Sequence, residues 1–302
     1  MPLKAKKPET IEKRLKLFMF GPPGSRKTTS AIQFPNAVLI DMEKGSDEYK
    51  KSLEKAGSIV LQTSNPDDVR AEVKTLLTEK HPYRTLIIDP MTIFYEATQD
   101  KWTRLFEKHT DDKKESVIAL QDFGMRYWGR VKSEYKSMLR MLLQLDMNII
   151  VTAHQKDIYG SNMQKMGVGP DSMKGDSYVF DNVFQLKVIN GKCIATTEKQ
   201  RCEPLDPPKF PAEFEWSYAN FLKFYGKEVI ERESKPIEMA TPEQVAKIKT
   251  LVDLVRIDDE TLNKWFTKCD VDDWAEMKSD DIQRCIGYVE AKLPSQPKEK
   301  KQ

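Results

Sequence analysis

The chain has 302 residues, of which 32% are charged, yet its formal net charge is only +2. A chain of this length can hold one sizeable core and a small second domain. Because the charge is nearly balanced, global charge gives no support for nucleic-acid binding, and any basic surface must be local.

Cysteine and histidine usage argues against two kinds of site. The chain has four cysteines and three histidines, and no two cysteines form a C-x-x-C pair. We therefore expect neither a zinc site nor a disulfide framework, but reduced intracellular thiols. No apolar stretch approaches the roughly 20 residues that span a bilayer. Residues 1–12 contain lysines without the apolar segment of a secretory signal, and are expected to form a flexible arm.

Short apolar runs alternate with helical patterns along the first half of the chain. The predicted strands are Leu15–Phe20, Ala37–Asp41, Ser58–Leu61, Thr85–Asp89 and Met147–Ala153. The predicted helices are Thr28–Gln33, Asp47–Ala56, Pro66–Lys80, Thr92–Lys108 and Phe123–Leu145. This alternation predicts a mainly parallel sheet covered by helices on both faces. Two later runs, Asn182–Ile189 and Lys192–Lys199, flank an Asn-Gly pair, which is a strong hairpin signal.

The second half of the chain is less regular. Residues 157–177 contain four glycines and little periodicity, which predicts a long loop. The charged stretch 227–239 is predicted to be a linker. Thr241 then fits an N-cap, with Pro242 at the first helical position and Gln244 at the third. With the further predicted helices Asp259–Lys268 and Ser279–Leu293, residues 240–293 form a small helical domain, and we expect the lysine-rich tail 294–302 to be disordered.

Residues 21–28 read GPPGSRKT and follow the first predicted strand. The phosphate-binding loop has the pattern G-x-x-x-x-G-K-[ST] between a strand and a helix. Its backbone amides cradle a polyphosphate, its lysine reaches the β- and γ-phosphates, and its hydroxyl ligates Mg²⁺. The sequence therefore predicts triphosphate binding by Gly21, Pro22, Pro23, Gly24, Ser25, Arg26, Lys27, Thr28 and Thr29.

Two positions of this loop carry conformational expectations. Gly24 supplies a position that tolerates positive φ. Arg26 stands where the pattern has its second glycine. Because Arg26 has a Cβ, we expect it to fit only with a negative φ, as at the start of a helix. The mismatch leaves open whether the triphosphate is hydrolysed in the usual way.

Two acidic residues end predicted strands. Asp89 closes an apolar strand downstream of the loop, where an aspartate can hold Mg²⁺ through water. The alternative is an Asp89 that only caps the following helix. Glu43 ends the motif D-x-E after the second strand and could polarise the attacking water. The alternative is a solvated acid in a charged turn.

Polar residues also end two later strands. His154 and Gln155 follow an apolar strand, where either could bond to the γ-phosphate and sense its loss. A structural histidine is the alternative. Lys199 and Arg201 lie on one face of a strand and suit a polyphosphate, including one held by a neighbouring subunit. A solvated edge is the commoner meaning of such a pair.

The motifs GPPGSRKTT, LIDMEKG, TLIIDP, VTAHQKD and TEKQR, in this order, resemble those of RecA-like ATPases. They look most like the phage core-only members of AAA type, which promote single-strand annealing in recombination. The resemblance covers residues 13–225. It implies an α/β RecA-like P-loop NTPase domain at 13–226, with a mainly parallel sheet flanked by helices, followed by the small all-α domain.

The resemblance also implies roles for particular residues. Lys27 and Thr28 become the phosphate and Mg²⁺ ligands, Asp89 the ligand of Mg²⁺-bound water, and Glu43 the general base. His154 or Gln155 becomes the γ-phosphate switch. Lys199 and Arg201 become fingers that contact a neighbour's nucleotide. The segment 157–177 becomes a DNA-contacting loop, in which Lys165 and Lys174 bind phosphates and Tyr159 or Tyr178 stacks on bases, although an ordinary polar loop is the alternative.

The leading hypothesis is thus an ATP- and Mg²⁺-dependent homo-oligomer that acts on single-stranded DNA in phage-type recombination or replication. It would work in the cytoplasm of a bacterial host, without a membrane, and a single-strand DNA-binding protein is a further candidate partner. A nucleotide-binding module with little turnover is the second hypothesis, motivated by Arg26. A small-molecule kinase is the third, and it is less favoured because no arginine-rich lid is evident.

Overall fold

The computed structural model describes residues 14–113, 117–201, 209–235, 237–269 and 271–293, without the side chains of 109–113 and 117–126. The predicted N-terminal arm and C-terminal tail lie outside the described residues. The described chain divides into two compact units, of which the second comprises residues 73–80, 136–145 and the segment from 237 onward. No helix among the described residues is both long and apolar enough to cross a membrane.

The described strands are β1 Lys16–Gly21, β2 Ala37–Asp41, β3 Ile59–Gln62, β4 Thr85–Asp89, β5 Asn148–Tyr159, β6 Lys165–Asp171, β7 Asn182–Ile189, β8 Lys192–Gln200 and β9 Glu213–Glu215. The described α-helices are α1 Lys27–Ala31, α2 Lys50–Lys55, α3 Pro66–Thr78, α4 Met91–Lys113, α5 Val117–Gln144, α6 Asp176–Val179, α7 Tyr218–Tyr225, α8 Lys227–Glu231, α9 Pro242–Val255, α10 Asp259–Cys269 and α11 Ser279–Glu290. Among the same described residues, 3₁₀ turns lie at Ser46–Tyr49 and Trp274–Glu276.

One sheet has the strand order β3-β2-β4-β5-β1-β7-β8-β9, and β6 pairs with β5. Strands β1 to β5 and β7 run parallel, whereas β6, β8 and β9 are antiparallel to their neighbours. The predicted α/β fold with a mainly parallel, helix-flanked sheet is confirmed. Because β5 lies between β1 and β4, residues at the end of β5 stand between the phosphate-binding loop and Asp89.

The sheet core explains why these segments form strands. Every residue of β1, β2 and β4 is buried, as expected for parallel strands covered on both faces. Aromatic side chains form a dense cluster in this core, in which Phe184 and Phe221 each contact Phe210 and Trp216. Helix α8 begins at Lys227 and buries Ile230 in this cluster. The segment predicted as a linker at 227–239 therefore starts as a packed helix, because Ile230 contributes an apolar side chain to the core.

Residues 157–177 are not the long loop that glycine content predicts. Strand β5 continues to Tyr159, and β6 returns antiparallel to it, with His154 opposite Asp171. The turn closes with the Gly160 amide donating to the Gln164 carbonyl at 2.9 Å. Pairing satisfies the backbone groups of this exposed segment, so glycines do not prevent a β-hairpin here.

In the second unit, α9, α11 and the turn at Trp274 enclose a core that includes Ile248, Ile282 and Ile286. The capping box predicted at the start of α9 is present. The Thr241 side chain accepts from the Gln244 amide at 3.2 Å, and the Gln244 side chain accepts from the Thr241 amide at 3.0 Å.

Candidate nucleotide-binding site

The GPPGSRKT loop leaves the carboxyl end of β1 and enters α1. Gly21 is required by close approach, because a Cβ there would lie 2.3 Å from the Leu186 carbonyl oxygen. Gly24 has φ +74°, so the loop uses the conformational freedom that glycine supplies at this position. The Ser25 amide donates to the Pro22 carbonyl at 3.2 Å, which closes the loop.

Arg26 overturns the expectation of a negative φ. Its φ is 68° and its ψ is 29°, in the left-handed region. The loop thus keeps a glycine-like backbone although a side chain is present, at a cost of roughly 1–2 kcal/mol for an L-residue. The guanidinium donates from Nη2 to the Gly191 carbonyl at 2.9 Å, which offsets part of this cost.

Lys27 lies inside the loop. Its Nζ donates to the carbonyls of Gly21 at 3.0 Å and Pro22 at 3.1 Å. Burial lowers the pKa of the Lys27 amine, and the nearby carboxylates of Asp89 and Glu43 act in the opposite direction. The ammonium group is therefore held close to two acidic side chains at the mouth of the loop.

Asp89 joins three elements. The Thr28 hydroxyl donates to Asp89 Oδ2 at 2.6 Å, and the Thr152 hydroxyl of β5 donates to Oδ1. Burial raises the pKa of the Asp89 carboxyl, against these two hydrogen bonds. Thr152 was missed by the sequence reasoning because nothing in its local pattern marks it.

The residues present fit a Mg²⁺ ion. The described residues contain no cluster of three or more His, Cys, Asp or Glu side chains that could cage a metal. Mg²⁺ instead binds proteins through one or two oxygen ligands, with substrate phosphates and water completing its shell. The Thr28 hydroxyl and Asp89 supply such a pair, and Asp89 is a buried carboxylate that a cation would neutralise.

Glu43 and His154 meet across the edge of the sheet. His154 Nε2 lies 2.8 Å from Glu43 Oε1, and both side chains are partly exposed. The turn that carries Glu43 is fixed by Asp41, whose carboxylate accepts from the amides of Glu43 and Ser46. The two switch candidates have different partners, since the Gln155 side chain accepts from Gln185 Nε2 of β7 at 2.8 Å. Both His154 and Gln155 line the same cavity.

Thr92 and Asp171 also belong to this region, and the sequence patterns did not predict a role for either of them. The Thr92 hydroxyl accepts from the His154 amide at 2.9 Å and donates to the Asp171 carbonyl at 2.7 Å. Thr92 thereby ties the start of α4 to both strands of the β5–β6 hairpin. Only the three-dimensional register reveals this link.

These groups surround a cavity of about 670 Å³, a volume typical of small-molecule sites. Besides the residues described above, Pro23, Thr29, Tyr49 and Pro90 line it. Tyr49 also packs against the sheet core and was not predicted to be part of a site. Lys27, Thr28, Asp89, Glu43 and His154 therefore share one cavity at the carboxyl edge of the sheet.

Lys199 and Arg201 lie elsewhere. Lys199 pairs with Val183, and the neighbouring Asn182 pairs with Leu17 near the amino end of β1. The Lys199 amine donates to the carbonyls of Ser177, Tyr178 and Phe180 at the end of α6, at 2.7 to 3.0 Å. Arg201 forms an ion pair with Asp181 at 2.8 Å and remains 54% exposed at its side chain. Both are remote from the nucleotide cavity of their own chain.

The residues predicted to contact DNA lie on and beside the β5–β6 hairpin. Tyr159 and Tyr178 are 57% and 79% exposed. Lys165 forms an ion pair with Asp157 at 2.8 Å, whereas Lys174 is exposed. The hairpin also exposes Met163 and Met166, at 83% and 72%.

With this sheet and this loop, the molecule falls into the class of P-loop nucleotide-binding proteins. The chain belongs to the family described as AAA domain (AAA_24), whose model matches residues 13–202. Among solved structures, it is similar to the RadB recombinase at 14% identity, over 63% of this chain and 83% of that one, with a TM-score of 0.37. A search of curated proteins finds no match.

Proposed function

We propose that this protein binds ATP with Mg²⁺ in the cavity at the carboxyl edge of the sheet and hydrolyses it, and that it acts on single-stranded DNA through the β5–β6 hairpin. The observation that carries the proposal is the convergence of Lys27, Thr28, Asp89 and Glu43 on one cavity.

Each of these residues has a defined task in triphosphate binding. The loop amides and the Lys27 ammonium would bind the phosphates, and Lys27 would exchange its carbonyl partners for phosphate oxygens. Thr28 and Asp89 would hold Mg²⁺, which supplies charge neutralisation when bound. Glu43 would accept a proton from the attacking water.

His154 supports a role for the hairpin in the ATP cycle. A γ-phosphate that accepts the imidazole N–H competes with Glu43 for it, so the contact between His154 and Glu43 would depend on the nucleotide. His154 belongs to β5, which continues directly into the hairpin. Its amide is bonded to Thr92, which in turn holds Asp171 of β6. A shift of His154 would therefore act on both hairpin strands.

The hairpin surface suits single-stranded nucleic acid. Aromatic side chains stack on unpaired bases at about 1–3 kcal/mol per base. Tyr159 offers an exposed ring, and Lys165 and Lys174 offer cations for the phosphates. The exposed methionines Met163 and Met166 add apolar surface beside the ring.

Nucleotide binding is tested with a fluorescent ATP analogue titrated against Mg²⁺. We expect the wild type to bind with micromolar affinity, Lys27→Ala to weaken binding at least tenfold, and Thr28→Val to lose most of the Mg²⁺ dependence. Lys264→Ala is the matched control, because it removes an exposed lysine of α10 whose partner is Glu260. A wild type that is folded and does not bind at millimolar nucleotide would refute the proposal.

DNA binding is tested by fluorescence anisotropy of a labelled oligothymidylate with and without the nucleotide. We expect Tyr159→Ala to weaken binding about tenfold and Trp128→Ala, which removes an exposed ring of α5, to leave it unchanged. Equal loss in both variants, or no binding by the wild type in either nucleotide state, would contradict a DNA-binding hairpin.

The wider proposal is a homo-oligomer that works in phage-type recombination or replication, in the cytoplasm of a bacterial host, alongside a single-strand DNA-binding protein. In it, Lys199 and Arg201 contact the nucleotide of a neighbouring subunit. Arg201 is the better candidate, because the Lys199 amine is committed to three carbonyls of its own chain. Sedimentation with and without the ATP analogue, for the wild type and Arg201→Ala, tests this arrangement.

A second candidate function is a nucleotide-binding module with little turnover. The left-handed Arg26 in the loop and the contact of Glu43 with His154 favour it. Steady-state phosphate release by the wild type and by Arg26→Gly decides between the two. Robust turnover that Arg26→Gly leaves unchanged would reject the low-turnover module.

A further inference from the structure

The β7–β8 hairpin extends beyond the edge of the sheet beside the phosphate-binding loop. Strand β7 pairs with β1 only as far as Phe20 opposite Gln185, and residues 186–189 continue past it. The hairpin then turns at Asn190 and Gly191, both with positive φ, as a tight two-residue turn requires. Its tip therefore lies beyond the parallel strands. On the β8 side, the Trp216 amide donates to the Cys193 carbonyl at 2.7 Å, and Lys192 pairs with Glu215 of β9.

The phosphate-binding loop contacts the other side of this hairpin at three points. Arg26 Nη2 donates to the Gly191 carbonyl at 2.9 Å. The Cys193 thiol donates to the Ser25 carbonyl at 3.5 Å. Gly21 approaches the Leu186 carbonyl so closely that no Cβ fits between them. Of these three contacts, the Arg26 bond reaches the turn itself.

Arg26 also lines the nucleotide cavity, and its backbone is in a conformation that L-residues rarely adopt. Such a conformation persists only where the surroundings enforce it. We propose that Arg26 is a positioning residue that tethers the β7–β8 turn to the phosphate-binding loop, so that nucleotide binding and the order of this turn are coupled. The part of this proposal that concerns nucleotide binding rests on the proposed function.

The coupling follows from the shape of arginine. The guanidinium carries five N–H donors in a rigid fork, and one of them serves the Gly191 carbonyl. The remaining donors can face the cavity that Arg26 lines, so one side chain can serve the turn and a polyphosphate together. A glycine at this position would leave the loop backbone intact and would abolish the link to the turn.

Amide hydrogen exchange of residues 187–193 tests the tether in the nucleotide-free protein. We expect Arg26→Ala and Arg26→Gly to accelerate exchange there at least fivefold, while exchange at 248–255 in α9 stays unchanged as a fold control. The two variants distinguish loss of the hydrogen bond from relief of backbone strain. Arg26→Ala keeps a Cβ at a position with positive φ, whereas Arg26→Gly removes it. Arg104→Ala, which removes an exposed arginine of α4, is the matched control and should leave 187–193 unchanged.

The second arm uses the fluorescent ATP analogue with Mg²⁺. We expect the analogue to slow exchange at 187–193 in the wild type, and both Arg26 variants to lose this response and to bind at least threefold more weakly. The proposed tether would be overturned if residues 187–193 exchanged at the wild-type rate in both variants, or if exchange were faster in Arg26→Ala alone. A wild type that does not bind the analogue would refute the proposed function, whereas the nucleotide-free exchange would still report the tether.

Discussion

His154 Nε2 lies 2.8 Å from Glu43 Oε1, which joins the end of β5 to the turn after β2 beside the phosphate-binding loop. The turn on the Glu43 side is fixed by Asp41, and the strand on the His154 side is fixed by Thr92. The two side chains are thus positioned independently by their own elements, and their contact is a property of the whole sheet edge.

Glu43→Gln should abolish most of the ATP hydrolysis and leave nucleotide binding intact. The amide keeps the shape of the side chain but cannot accept a proton from water, and general base catalysis contributes about 10²–10⁴-fold. Phosphate release should therefore fall at least a hundredfold, while the Kd for the fluorescent ATP analogue stays within threefold. A variant that retains more than a tenth of wild-type turnover would show that Glu43 is not the base.

The protein should become more stable as the pH rises from 7 to 9, because the buried Lys16 amine loses its proton over this range. The Lys16 side chain is 8% exposed, and burial lowers the pKa of its amine to about 7, against the attraction of Asp181 and Asp146. The unfolded chain keeps the proton up to near pH 10.5 and so binds more protons across this range. The free energy of unfolding should therefore rise by roughly 2 kcal/mol between pH 7 and pH 9.

Urea denaturation of the wild type and Lys16→Met at both pH values measures this effect. Methionine keeps the apolar length of the side chain, so the variant should be the more stable protein at pH 7 and should lose about half of that advantage by pH 9. Lys192→Met, at an exposed lysine, controls for the loss of one charge. An advantage of Lys16→Met that does not change with pH would contradict the assignment.

Asp176 should have the opposite pH dependence. It is 2% exposed and accepts from the Tyr135 hydroxyl, and burial raises the pKa of its carboxyl to about 6. Because the folded pKa lies above the unfolded value of 3.8, its contribution to stability is complete below pH 3.8 and is lost as the pH rises through 6. Between pH 4.5 and pH 7.5 this loss amounts to roughly 2 kcal/mol.

The comparison is between the wild type and Asp176→Asn in thermal or urea unfolding. Relative to the wild type, the variant should gain roughly 2 kcal/mol as the pH rises from 4.5 to 7.5, because the amide does not ionise. Asp100→Asn, at an exposed aspartate of α4, should show no such trend. Parallel pH profiles for Asp176→Asn and the wild type would contradict the raised pKa.

Thr241→Ala should destabilise the second unit by about 1 kcal/mol, since it removes the side-chain half of the capping box at α9. Thr241→Ser keeps the hydroxyl and should recover most of the loss. Hydrogen exchange of α9 and α11 gives the local measurement. Equal exchange in the alanine variant and the wild type would show that the cap does not limit local opening.

Much of the parallel sheet could be predicted because its signals are local. The apolar strands β2, β4 and β7 have the predicted bounds, and the Asn-Gly pair does form the turn between β7 and β8. The β5–β6 hairpin could not be predicted in this way. Glycines, exposed apolar residues and a register shift at Ile158 and Tyr159 hide the alternation of apolar and polar residues that marks a strand. Strand β6 is defined only by its pairing with β5.

The sequence by itself determined the chemical groups at the ends of the strands, because a loop lysine, a hydroxyl and strand-end acids are set by spacing along the chain. The tertiary structure decided their conformations and partners. In it, Arg26 has a left-handed backbone conformation, and His154 rather than Gln155 contacts Glu43. The Lys199 amine donates to carbonyls at the end of α6. These outcomes depend on contacts between segments that are distant along the chain, and local patterns carry no information about such contacts.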